Sequence, residues 1–234
     1  MNAEIMEIAG VIILEPLTSL TDFTTGLTGI FLATLLWKRK PTQKSEWYFF
    51  LYFLFIGIAT VLAGTLGHGF LHYLPYEAKM FGWSFSAISL MFFELASFYY
   101  FKHKLKPTQF NVLRWIAIVQ IIAFFTMQVI PATRGFKLVQ LNATFCYIVI
   151  LIPIYIIAIL HWKMTWVYPV VLSIVFAGAI AAVYNNQVSY NAWFNHHVIT
   201  HLMMTLFVIF MYYSVLFLQN KASSLFYSAE AKTL

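Results

Sequence analysis

Seven histidines and eight acidic residues are scattered over 234 positions, and several of them stand inside apolar stretches. His197 and His201 are four apart, so a helix would project both imidazoles from one face. His68 lies near the end of another apolar run, with His72 one turn further on. Glu15, Thr18, Ser19 and Asp22 are spaced to share one helical face. Imidazoles and carboxylates are zinc ligands: an i,i+4 His pair plus a third His or carboxylate leaves a fourth position for water. Ionisable groups in hydrocarbon are costly, which makes these residues functional candidates by default. Haem ligation could use His68 or His72 opposite a later histidine, but no histidine falls at the other hydrocarbon layer for a second haem.

The elements that must carry these groups follow from composition. Hydrophobic residues make up 62%, charged residues 9%, and mean hydropathy is +0.79. A soluble domain carries roughly a quarter charged residues, so the solvent here is lipid. Spans of the length needed to cross a bilayer are expected at 9–37, 47–74, 79–101, 110–131, 138–160, 164–184 and 192–218. The expected fold is an all-α bundle of seven transmembrane helices over 1–220, with a short cytoplasmic tail at 221–234. It is a multi-pass integral membrane protein whose membrane system and oligomeric state the sequence does not identify. The acidic start does not read as a cleavable signal peptide. Single Cys146 excludes an intrachain disulfide.

The fourteen Lys and Arg divide eleven to three between alternate loops. The eleven, which include Lys44, Lys102, Arg114, Lys163, Lys221 and Lys232, mark the cytoplasmic side and put the N-terminus outside. This loop distribution also accounts for the net charge of +6 without nucleic acid, which is excluded as a partner. At about 1.5 Å per residue, His68, His197, His201 and Glu15 fall at similar depths under the outer face. Asp22 falls deeper, near mid-membrane, and Glu94 lies in the inner half. His72 is expected at the interface, and His196 is turned about 100° from His197.

Three segments together resemble the alkaline ceramidase and progestin/adiponectin-receptor superfamily of seven-helix membrane hydrolases. They are Glu15-Pro-Leu-Thr-Ser-Leu-Thr-Asp22, Gly64-Thr-Leu-Gly-His68 and His197-Val-Ile-Thr-His201. The resemblance implies a zinc ion held by His68, His197 and His201, and hydrolysis of a membrane lipid amide or ester. It also implies a calcium site to which Glu4, Glu7 and Glu15 could lend oxygens. Two positions depart from the pattern. The serine four residues before the helix-two histidine is Gly64, with Thr65 beside it, and helix three has no Asp. Thr65 and Glu77 are the expected catalytic substitutes, Glu77 as general base. The alternative expectation is a non-catalytic metal- or lipid-binding receptor on the same scaffold.

Overall fold

A computed structural model describes residues 5–230, with side chains as far as Lys221. Glu4, an expected oxygen donor, and Lys232, counted in the charge bias, lie outside the described residues.

The chain opens on an antiparallel hairpin, β1 (Ile5–Ile8) with β2 (Val11–Leu14), in the register Ile5↔Leu14 to Ile8↔Val11. Ala9 and Gly10 between them have φ of 51° and 81°, the left-handed pair that matches strand twist in a two-residue turn. The first helix was expected from residue 9. It begins instead at Pro16, as α1 (Pro16–Lys38). The positive-φ turn breaks the helical path, and Pro16 is suited to the first helical position because its missing N–H would be unbonded there anyway.

Then come α2 (Lys44–Leu62), α3 (Lys79–Phe101) and α4 (Pro107–Val129). α2 continues as a π-helix through Ala63–Gly69. α5 (Phe136–Thr144) runs through a second π segment, Phe145–Leu151, into α6 (Ile152–Leu160). α7 (Tyr168–Asn185) and α8 (His196–Glu230) complete the chain. Residues 221–230, within the expected tail, are helical and continue α8. Among the described residues seven helical stretches are long and apolar enough to cross a membrane. Large apolar side chains such as Leu27, Phe31, Trp115 and Leu172 point outward at 60% exposure or more, as a lipid-facing surface requires and a water-facing one does not.

α1 packs between α2 and α8, α2 also packs on α3, and α7 on α8. Glycine makes the first contact possible: a Cβ on Gly57 would stand 2.7 Å from Ile30 N, and one on Gly29 would stand 3.0 Å from Gly57 Cα. Small residues at such crossings let two backbones approach where lipid supplies no hydrophobic drive between helices. Thr25 Oγ1 lies 2.7 Å from Thr205 Oγ1 and 3.1 Å from the His201 carbonyl oxygen, which ties α1 to α8. Below these contacts the bundle is filled by buried aromatic rings, among them Phe49, Tyr52, Phe93, Phe101 and Tyr155. Glu94 is buried there, away from the histidines.

Candidate metal centre

Three helices deliver the polar residues to one place. His68 sits in the π-helical end of α2, and His197 and His201 in the first turns of α8. α1 lies between these two elements and contributes Glu15 just before its start and Asp22 two turns in. The ring centres of His68 and His197 are 5.6 Å apart, those of His68 and His201 5.8 Å, and those of His197 and His201 6.5 Å. Three imidazoles on one tetrahedral zinc hold their ring centres roughly 5 Å apart, given a Zn–N distance of about 2.0–2.1 Å. The three rings are thus gathered more loosely than that, and the residues whose ligand atoms converge are His68, His201 and Asp22, without His197.

His68 faces a carboxylate at each nitrogen and is hydrogen-bonded at one of them. Nδ1 lies 2.8 Å from Glu15 Oε2, and Nε2 lies 3.8 Å from Asp22 Oδ2. An Nδ1–H that donates to Glu15 leaves Nε2 as a lone-pair donor, the carboxylate–histidine arrangement that orients metal-binding imidazoles. Burial pushes the Glu15 carboxyl up, yet the hydrogen bond and charge of His68, with the charges of His197 and Lys79, outweigh it and hold it down at about 2. Glu15 adopts φ 47° and ψ 56°, a left-handed conformation that costs a non-glycine residue roughly 1–2 kcal/mol. Strain of this kind persists where the surroundings hold it, and here it falls on the residue that orients His68.

Asp22 is the residue the depth count misplaced. Its Oδ1 lies 3.3 Å from His201 Nδ1, and with His68 and His201 it offers ligand atoms all within 4.8 Å of one another. Ligand atoms on one tetrahedral ion are roughly 3.3 Å apart by the same bond lengths. Asp22 is 2% exposed, and its Oδ2 is buried without a hydrogen-bond partner among the described residues. A buried carboxylate oxygen left without a donor is expensive, and a cation is the group that would satisfy it. The donor set therefore fits a divalent metal. The error came from the start of α1. Counted from Pro16 rather than residue 9, Asp22 is about 9 Å below the helix start, level with His68. The signal was present in its shared face with Glu15.

Gly64 explains how Asp22 fits. A Cβ at position 64 would stand 2.9 Å from Asp22 Cβ and 3.0 Å from the Ser19 carbonyl oxygen. Ser19 Oγ donates to the Gly64 carbonyl at 2.8 Å. The space a serine would need at 64 is occupied by Asp22, so the glycine and the acid go together. The π-helical geometry around them is one that recurs at functional sites.

The other expected site residues lie apart. Thr65 Oγ1 donates to the carbonyls of Val61 and Leu62 on its own helix, at 2.9 and 3.2 Å. Glu77 is exposed and accepts a 2.6 Å hydrogen bond from Arg134. Among the described residues neither has a hydrogen bond to the histidines. Glu7 stands on the exposed hairpin, opposite Ile12, while Glu15 is committed to His68. His72 is exposed against Tyr73, and His196 packs on His197 and Tyr184. Lys79, counted in the sequence only among the three cations of the minority side, starts α3 beside this cluster, its Cγ 3.8 Å from where a Gly67 Cβ would stand.

The chain belongs to a family of unknown function (DUF6962), whose sequence pattern matches residues 17–220, a span that includes Asp22, His68, His197 and His201. No curated protein and no solved structure matches it.

Proposed function

We propose that this member of the family binds zinc through His68, His197 and His201 and hydrolyses an amide or ester bond of a membrane lipid. One observation carries the reading: the buried, unpartnered Asp22 carboxylate oxygen that faces His68, with its other oxygen toward His201. Zinc in such a site polarises a carbonyl and brings the pKa of water to about 7. Glu15 holds His68 in the tautomer that leaves Nε2 free. Asp22 Oδ2 accepts the proton that a nucleophilic water must lose, the task that neither Thr65 nor Glu77 is positioned to perform. The lipid enters sideways from the bilayer. By the charge bias the site lies in the outer leaflet, with the N-terminus outside and the C-terminus cytoplasmic. Calcium is a weaker proposal, since Glu15 is already bound to His68.

The distances also support a second reading. If Asp22 coordinates the metal, four protein ligands close the site and leave no position for water, as in structural zinc centres. The protein is then a metal-holding receptor or lipid-binding protein. Elemental analysis of purified wild type and of Asp22→Asn, His68→Ala and His201→Ala, with lipid turnover measured beside it, separates the two. The hydrolase reading expects both His variants to lose zinc, and Asp22→Asn to keep zinc while losing turnover. Loss of zinc in Asp22→Asn favours the closed site. Wild-type protein free of bound metal would sink both.

A further inference from the structure

A cavity of about 600 Å³ opens at the start of α2, some 24 residues before His68 and about 35 Å from it along the helix. It lies between α2, α3 and α4, and its walls carry Lys44, Lys102 and Arg114 with Ser45, Tyr99 and Asn111. No carboxylate lines it. Among the described residues, no acid lies within ion-pair distance of the three cations. The chain has only eight acids. The one on this turn, Glu46, accepts from the backbone N–H groups of Thr42 and Gln43 at 2.7 and 3.0 Å.

Aromatic rings, not acids, hold the cations in position. Lys44 Nζ is 5.5 Å from the Tyr99 ring centre. Lys102 Nζ and the Arg114 guanidinium lie 5.4 and 5.6 Å from the centre of one ring, that of buried Phe110. Two like charges gathered on one ring repel each other until an anion joins them. The first turns of α2 and α4 both border the cavity, so two helix N-termini add positive potential there. A topological charge bias needs only basic residues in a loop. It does not need a concave, acid-free cavity with its cations positioned by rings.

We infer that this cavity binds a phosphate-bearing anion, at the membrane face opposite the histidines. Basic cavities between transmembrane helices take anionic lipid headgroups, and free phosphate presents the same chemistry. The test uses full-length protein in detergent, titrated with short-chain phosphatidylglycerol, phosphatidylcholine or inorganic phosphate and followed by native mass spectrometry and thermal stability. One saturable phosphatidylglycerol site is expected, with little uptake of phosphatidylcholine. Lys102→Gln with Arg114→Gln should weaken it roughly 30-fold, while Lys104→Gln, in the same loop but outside the cavity, should leave it unchanged. Lys44→Gln alone provides a milder second variant should the double variant fold poorly. Saturable binding of inorganic phosphate with the same variant pattern would assign the site to a soluble anion. Equal losses in Lys104→Gln, or no preference for anionic lipid, would overturn the inference.

Discussion

Gly64→Ala tests the link between the π-helical turn and the metal centre. The new Cβ would stand 2.9 Å from Asp22 Cβ and 3.0 Å from the Ser19 carbonyl oxygen. Carbon atoms rest at about 3.5–4.0 Å, so α1 must move off α2 by roughly 0.6–1 Å or Asp22 must swing away. Overpacking of this kind costs about 1–3 kcal/mol, roughly 5- to 150-fold in an equilibrium constant. Because the displaced start of α1 also carries Glu15, which orients His68, zinc affinity should drop with stability, on the order of 10- to 100-fold. Gly67→Ala is the internal control. It lies in the same π-helical segment, yet its Cβ would meet only Lys79 Cγ at 3.8 Å and Ala63 Cβ at 4.0 Å, ordinary contact distances. Thermal unfolding in detergent and chelator competition for zinc would be read on both. Wild-type stability and affinity in Gly64→Ala would refute the packing argument. Equal damage from both would move the effect from Asp22 to the helical geometry itself.

Other outcomes follow from the same geometry. Glu15→Gln removes the carboxylate charge that fixes His68, leaving only an amide oxygen as acceptor, and should weaken zinc binding about 10- to 100-fold, again by chelator competition. Glu15 is held down at about 2 from an ordinary 4.5, so its contribution to stability is whole above pH 4.5 and is lost as pH falls toward 2. The variant should lack that acid dependence in an unfolding series. Glu77→Ala should leave zinc content unchanged and cost under about 1 kcal/mol, since it breaks only an exposed ion pair with Arg134; zinc loss would return Glu77 to the site. Thr25→Val cuts the tie to Thr205 and should cost about 0.6 kcal/mol, the usual size of an interhelical hydrogen bond in a membrane.

Much of this protein was legible from the sequence because lipid imposes simple rules. Length and hydropathy mark the spans, and seven helices of suitable length stand close to where the apolar runs predict them. The i,i+4 spacing of His197 and His201 and the position of His68 were enough to expect one cluster, and the three rings do lie within 6.5 Å of one another. Helix starts were less legible. Hydropathy puts residues 9–14 in the first span, but a turn with two positive φ angles makes them part of a hairpin, and Asp22 was misplaced in depth as a result.

What the sequence determined by itself is the solvent, the number of long apolar helices and the chemical type of the groups they carry. These are properties of composition and of spacing along one helix. Tertiary structure decided which groups meet. Glu15 and Asp22 take opposite nitrogens of His68, 53 and 46 residues away in the chain. They do so because glycines at 26, 29, 57 and 64 let α1 lie against α2. Glu77 goes to Arg134 because both stand in connections between helices. Partner choice depends on distances between helices, and those are set by packing that no single segment encodes.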